Sequence, residues 1–388
     1  MRILHTSDWH VGRTFHGHPT LPALAGVLDA LAREVREREV DVVAVAGDVF
    51  DSATPSSEAF AVLGAALRGI REAGAQLVVT SGNHDSPARL GFQSEFAAFG
   101  GVHIVTRAED HAEPVTLRGR DGVPVDFYGI PFLEPALIRH LWPDEPLRSQ
   151  ADALRFAMRN VRAAAAASAH RSVVLAHCFA AGGQAEASDA ERDLSAGGLD
   201  VVPLSVFDGV DYAALGHIHG RAALAEHVRY SGAPLHYSFS EAGKPRGAWL
   251  VELGADGPAE VQWVDLPVPR ALAVITGELD ELLTDAALEA HRDDWVAAIL
   301  TDRTRPLDAM RKLQSRFPHC ASLEHRPAVV DSDGARGYRE RVGGKDRPDP
   351  EVIAAFLAHV RNGEGPSPAE AELIAELVAE RAAAEQTA

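Results

Sequence analysis

The chain has little cysteine, little positive charge and no long apolar run. Its only cysteines are Cys178 and Cys320. They support no disulfide framework and fit a reducing, cytoplasmic setting. No stretch approaches the roughly 18 apolar residues of a membrane span, and the start lacks the apolar core of a secretory leader. No membrane association is therefore expected. The phosphate-binding pattern G-x-x-x-x-G-K-[ST] is missing, so any ATP dependence would have to come from a partner. Internal repeats are missing too. Lys and Arg number 37 against 56 Asp and Glu, a formal net charge of −19. A chain that gripped nucleic acid over its whole surface would be basic. Either nucleic acid is not the substrate, or the basic contacts are local, or a partner supplies affinity. Solubility alone also accounts for the charge.

What is present is an ordinary globular composition, 46% hydrophobic and 24% charged over 388 residues. That length implies one large domain with smaller additions, or two domains. Ile3-Leu4 reads as a strand running into His5-Thr6-Ser7-Asp8-Trp9-His10. If the backbone stays extended there, Asp8 and His10 point to one side. A helix is expected over 21–40. The β-branched run Val40 to Ala46 reads as a buried strand ending in Gly47-Asp48-Val49-Phe50-Asp51. A helix over 55–73 follows, then a strand, Gln76 to Thr80, ending in Ser81-Gly82-Asn83-His84-Asp85. Strands alternating with helices give an α/β fold with parallel neighbours, whose sites lie beyond the carboxyl ends of the strands. Later, Ser172 to Ala176 runs into His177, and Asp211 to Leu215 runs into Gly216-His217-Ile218-His219. Turn-making explains Gly47 and Gly82. It does not explain histidines at the same places.

The strand-end set is Asp8, His10, Asp48, Asn83, His84, His177, His217 and His219. Carboxylate, amide and imidazole together suit a divalent ion such as Mn²⁺, Fe²⁺ or Zn²⁺ rather than a thiolate site. Cys178 reads as core, turned away from His177 by alternation. So many donors suit two ions sharing a bridging carboxylate, roughly 3.5–4 Å apart. Asp48, from a central strand, is the natural bridge. Such a pair activates water and polarises phosphoryl oxygen, which points to phosphoester hydrolysis. His84, beside a ligand at a strand end, is placed for general acid work. Asp51 reads as support for the ligands or as a loop residue. Arg13 and Arg89 read as solvated surface or as phosphate contacts.

The order D-x-H, G-D-x-x-D, G-N-H-D, a lone His and G-H-x-H resembles the calcineurin-like metallophosphoesterases. Within them, H-T-S-D-W-H-x-G-R at 5–13, G-D-V-F-D at 47–51, S-G-N-H-D-S at 81–86 and Y-S-G-A-P-L-x-x-S-F-S-E at 230–241 are similar to the SbcD family of nuclease subunits. The resemblance implies a four-layer α/β/β/α sandwich with a small α+β capping domain and C-terminal helices. It implies one metal held by Asp8, His10, Asp48 and His219, and a second by Asp48, Asn83, His177 and His217, with Mn²⁺ the expected ion at both. His84 would stabilise or protonate the leaving oxygen, with Asp85 orienting it; alternatively Asp85 is a turn residue capping the next helix. The implied activity is 3′–5′ exonuclease cleavage of double-stranded DNA and endonuclease cleavage of single strands and hairpins. ATP dependence would come through an SbcC-like coiled-coil ATPase, with a homodimer inside a heterotetramer.

The alternate prolines of Leu266-Pro267-Val268-Pro269 mark a boundary. The expected domains are a phosphoesterase at 1–267, a DNA-binding cap and linker at 268–345, and a helix pair for the ATPase at 346–388. A loop at 181–198 and a charged link at 331–348 are expected. The cap should hold strands at 271–276 and 295–301 and helices at 278–290 and 304–316. A local basic face of Arg292, Arg303, Arg305, Arg311, Lys312 and Arg316 would answer the acidic balance; each is otherwise a solvated side chain. The last helices carry apolar stripes, Val352, Ile353, Phe356, Leu357 and Val360, then Leu373, Ile374, Leu377 and Val378. Those stripes would pack on their own domain or fill a partner's groove. Ser367 to Glu370 has the capping-box pattern. Two other readings remain open: a small-molecule phosphodiesterase or phosphatase of the same fold, and an inactive metal-stabilised interaction subunit.

Overall fold

Five consecutive buried residues, Val42–Ala46, form the central strand of the first sheet. Side chains of alternate residues leave opposite faces, so a strand apolar throughout needs cover on both. The computed structural model supplies that cover, and it describes residues 1–181, 201–256, 259–327, 348–360 and 365–386. The expected 181–198 loop lies outside the described residues apart from Ala181, and the 331–348 link does so apart from Pro348. The chain divides into two units, Met1–Ala271 and Leu272–Ala388.

In the first unit, one sheet runs Glu260–Asp265, Gly247–Glu252, Arg2–Thr6, Val42–Ala46, Gln76–Thr80, Val102–Val105. The last four are parallel, and the two later strands add antiparallel at the edge. The second sheet runs Ala222–Ala223, Val228–Tyr230, Tyr212–Gly216, Arg171–His177, Pro124–Ile130, Val115–Arg118. Its four central strands are also parallel. Ile3, Val42, Ala44, Val78, Phe127, Val173, Leu175 and Ala214 are fully buried together between the sheets. Helices Leu21–Glu37 and Ser57–Glu72 cover the outer face of the first sheet through Leu24, Leu28, Leu31, Leu63 and Ile70. Helix Gln150–Ala166 covers the second through Leu154, Phe156, Met158 and Val161, with Cys178 in the same layer. This is the α/β/β/α sandwich expected. Each large side chain so buried contributes on the order of 1.5–3 kcal/mol.

Local signals set the helix ends. Ser56 accepts from Ala59 N to start one helix. Ser149 and Asp152 form a reciprocal capping box at another. The segment after Pro87 makes two short helices, Pro87–Leu90 and Ser94–Phe99.

The two sheets press close together at the carboxyl ends of their strands. A Cβ on Gly216 would stand 1.8 Å from the Ala46 carbonyl oxygen across the gap. Only glycine permits that approach, and it brings the loops of both sheets to one place. His5 crosses the same gap, with Nδ1 3.0 Å from the Tyr212 hydroxyl and Nε2 3.1 Å from the Leu215 carbonyl. The carbonyl can only accept, so Nε2 carries the proton. Burial pushes this imidazole down to about 3, leaving it neutral.

The second unit holds a parallel sheet in the order Leu272–Gly277, Trp295–Leu300, Cys320–His325. The third strand is additional to the two read from the sequence. The helix expected at 278–290 stops at Asp285 and continues as a 3₁₀ turn, Ala286–His291. That expected at 304–316 begins only at Ala309, because Asp308 adopts φ 55 just after Pro306. Helices Asp349–Val360 and Pro368–Gln386 contact each other. Ser367 and Glu370 make both bonds of the expected capping box.

Gly216→Ala is expected to lower stability by about 3 kcal/mol or more, as an overpacked contact between rigid sheets. Gly64→Ala, in open space on helix Ser57–Glu72, should raise it by about 0.5–1 kcal/mol. Urea denaturation of both variants measures this. An unchanged midpoint for Gly216→Ala would mean the sheets part readily there.

Candidate metal centre

The loops that carry the donors do not continue their strands. Strand Arg2–Thr6 ends ahead of Asp8, and Asp8 and His10 adopt φ 52 and 44. Asp48 has φ 47 and His217 φ 104. Left-handed backbone at such residues costs on the order of 1–3 kcal/mol each. The extended geometry expected for Asp8-Trp9-His10 is therefore wrong. The two side chains meet because this loop is zipped onto its neighbour: Asp8 N donates to Gly47 O at 3.1 Å, His10 N to Asp48 O at 2.9 Å and Val11 N to Val49 O at 2.9 Å.

All eight strand-end residues converge. His10 Nε2 and His219 Nε2 lie 3.0 Å apart. Asp48 Oδ2 stands 3.6 Å from His10 Nε2 and 3.3 Å from His177 Nε2, between the two halves of the cluster. Asn83 Oδ1 faces His177 Nε2 at 3.0 Å and His217 Nδ1 at 3.2 Å. Asp8 Oδ1 accepts from His217 N at 2.9 Å. Its other oxygen accepts from Ser7 Oγ, which also meets Ser231 Oγ at 2.8 Å. Three donor triplets lie within 4.8 Å: Asp8, His10 and His219; Asp8, Asp48 and His177; and His10, Asp48 and His84. Gly82 makes room for this, since a Cβ there would stand 2.1 Å from Asp48 Oδ1.

Burial sets the electrostatics. Asp8 is fully buried and Asp48 2% exposed. Among the described residues no lysine or arginine pairs with either. Burial pushes His10 down to about 4 and His217 to about 3, so both present lone pairs at neutral pH. Burial likewise opposes a charge on His177, but the Asp48 and Asp8 carboxylates hold it up at about 9. The Asp48 carboxyl, although burial pushes it up, is held well below the usual range by His177 and His10. Two buried carboxylates need more positive charge close by than the one protonated His177 ring supplies. Two imidazole nitrogens 3.0 Å apart match two donors each about 2.1 Å from one shared ion. The donor set thus fits hard or borderline divalent ions.

His84 differs from the others. Its side chain is 34% exposed, its amide donates to Asp48 Oδ1 at 2.9 Å, and its Nδ1 donates to the Asp51 carbonyl at 2.9 Å. Asp85 does not orient this ring. Its carboxylate accepts from Val49 N, Phe50 N and Gly82 N at 2.8–3.0 Å, tying the Asp48 and Asn83 loops together. Burial, then the Asp48 charge, push Asp85 up to about 6. The ring-orienting contact comes from Asp51, whose carboxylate also faces His10 Nδ1 at 3.2 Å and Arg13 Nη1 at 3.4 Å. Arg13 is not solvated: it is mostly buried and lies over the Tyr237 ring. Arg89 is exposed and donates to the Ala53 carbonyl at 2.5 Å.

Two residues given no role from sequence complete the cluster. Glu241 Oε1 faces His219 Nδ1 at 3.4 Å, and Arg246 Nη2 donates to Glu241 Oε2 at 2.7 Å. Glu241 closes the S-F-S-E stretch at 238–241, the one signal that could have marked it. Arg246 has no local signal.

The calcineurin-like phosphoesterase family matches residues 1–221. The Type 5 capsule protein repressor C-terminal domain family, SbcD_C, matches residues 268–361. Among solved structures, TT1561 of Thermus thermophilus aligns at TM-score 0.38 and 14% identity, over 68% of this chain and 98% of its own. GAP50, the anchor in the inner membrane complex of Plasmodium, aligns at 0.44 and 11%, over 87% and 99%. A dimetal phosphatase from Danio rerio aligns at 0.39 and 13%, over 67% and 98%. No helix among the described residues is long and apolar enough to cross a membrane. With a family match over more than half its length, laid on the sandwich and donor cluster described above, the chain belongs to the calcineurin-like phosphoesterase family and is a metal-dependent phosphoester hydrolase.

Proposed function

We propose that this protein is the nuclease subunit of an SbcCD-type complex, hydrolysing DNA phosphodiesters in end processing, repair and recombination in the cytoplasm. The observation that carries this reading is the SbcD_C match at 268–361, behind a phosphoesterase domain in the same chain. One ion would be held by Asp8, His10, Asp48 and His219, and the other by Asp48, Asn83, His177 and His217, with Mn²⁺ the expected metal. Such a pair supplies an activated water and polarises the phosphoryl oxygen. The protein's own part is positioning. Asp48, between the two halves, would serve both ions. His84, partly exposed and with Nδ1 held by Asp51, presents Nε2 to the leaving oxygen, where it stabilises or protonates it. Arg13, tied to Asp51 and Tyr237, braces the ligand loop.

Charge supports a partner-dependent enzyme. Of the six basic residues expected to face DNA, Arg292 pairs with Glu289 and Arg311 with Asp308, while Arg316 is mostly buried and donates to the Leu282 carbonyl. Among the described residues, Arg303, Arg305 and Lys312 remain exposed without such pairing. A few cations, some of them already paired with acids, bind a duplex weakly. A coiled-coil ATPase docked on the terminal helices would supply the rest. Phe356, Leu373 and Leu377 there are 48%, 56% and 56% exposed, which suits helix-in-groove binding. The exposed Phe92, Phe96 and Phe99 would serve pairing of two copies. The acidic surface favours one second reading, a small-molecule phosphodiesterase of the same fold.

With Mn²⁺, linear and hairpin DNA should be cut by the chain, and faster with an SbcC-like ATPase and ATP. Robust turnover of nucleotide monoesters without DNA cleavage would reject the nuclease reading. His84→Ala should keep both ions while cleavage falls about 10²–10⁴-fold; loss of metal from that variant would contradict its role. Asp48→Ala should weaken both ions in metal analysis after dialysis, and unchanged content would remove it as the bridge.

A further inference from the structure

Most of the imidazoles aimed at the cluster have their other nitrogen held by an acceptor, but the acceptors are unequal. His10 Nδ1 faces the Asp51 carboxylate at 3.2 Å and His219 Nδ1 faces the Glu241 carboxylate at 3.4 Å. His177 Nδ1 instead donates to a neutral carbonyl, Ala46 O, at 3.0 Å. His217 turns Nδ1 inward, to Asn83. Among the described residues, a carboxylate thus stands within 3.4 Å of the outward nitrogen of both histidines of one half, while in the other half only Asp8 Oδ1 approaches His177 Nδ1, at 3.9 Å. A carboxylate behind the N–H of a ligating imidazole fixes its tautomer and strengthens the opposite nitrogen as a donor.

Glu241 is itself held rigidly. It is 1% exposed, and its Oε2 accepts from Arg246 Nη2 at 2.7 Å and Tyr237 N at 3.1 Å. The same guanidinium donates to the carbonyl of His219. One buried arginine thus fixes both the backbone of the histidine and the acid behind its ring. An ion pair this deep is a poor stabiliser compared with apolar packing. Its place behind a metal-facing ring gives it a use.

We propose that the two ion sites are unequal, that the Asp8, His10 and His219 side binds its divalent ion first and more tightly, and that Glu241, locked by Arg246, is the positioning residue that sets this order. The inference rests on the two-ion reading above. The deciding experiment is a Mn²⁺ titration of the full chain after chelation, followed by calorimetry and by the electron spin resonance of free Mn²⁺. The wild type should show two events of different affinity. Glu241→Gln with Arg246→Met removes both charges and strands neither. It should weaken the tighter event about 10–100-fold and the weaker one less than about threefold. Asp51→Asn, altering a partly exposed carboxylate, should act in the same direction, and it decides the matter if the double variant does not fold. Two equal events in the wild type, movement of the weaker event instead, or no change in either variant would overturn the proposal. A wild type that takes up fewer than two ions would overturn the two-ion reading itself.

Discussion

Two buried carboxylates that pair with no described lysine or arginine are the constraint on which the rest depends. Asp8 and Asp48 lie at the meeting point of two sheets, surrounded by imidazoles. Burying one unpaired carboxylate costs several kcal/mol even after relaxation. His177, held protonated beside both, offsets part of the cost of burying two. Divalent metal would offset the remainder, so that charges which destabilise the fold become binding energy for metal. The folding cost and the catalytic function are two sides of one arrangement.

The backbone around the cluster follows from that demand. Four of the donor residues sit in left-handed conformations that cost energy without their surroundings. The surroundings are the zipper between the first two loops, the Asp85 carboxylate that gathers three amides, and the glycines where a Cβ would collide. Asp85 illustrates how a residue beside the chemistry can act only through geometry. It touches no imidazole ring, yet it joins the loop of Asp48 to the loop of Asn83 and His84. Its raised carboxyl reflects the burial accepted for that purpose.

The donors were legible in sequence because each ends a strand, and a strand end in an α/β sheet is a place in space as well as in the chain. Parallel α/β layering was legible because Val42–Ala46 and Ser172–Ala176 have to be covered on both faces; the four-layer sandwich was implied only by the family resemblance of the strand-end motifs. What could not be read is what depends on contacts between distant segments. Arg246 reaches His219 from 27 residues away, and nothing beside it marks it. The Asp8 and His10 geometry was misread because alternation assumes an extended chain, and tertiary hydrogen bonds impose a left-handed one. In the second unit, Cys320–His325 was missed because it is mostly half-buried and lacks a continuous apolar run. The expected basic face could not show that Arg292 and Arg311 have acids three residues earlier in the chain as ion-pair partners. Helix geometry turned those near neighbours into partners.

The charge balance and the donor cluster then point the same way. A phosphoester carries negative charge toward a site whose protein surroundings are already rich in carboxylate. Attraction to substrate cannot come from the overall field of an acidic chain. It has to come from the bound cations at short range and from any partner at long range. Selectivity for a particular phosphoester therefore lies with groups outside the donor cluster and with any partner. On this argument the buried donor cluster sets the chemistry, and discrimination between substrates is set elsewhere.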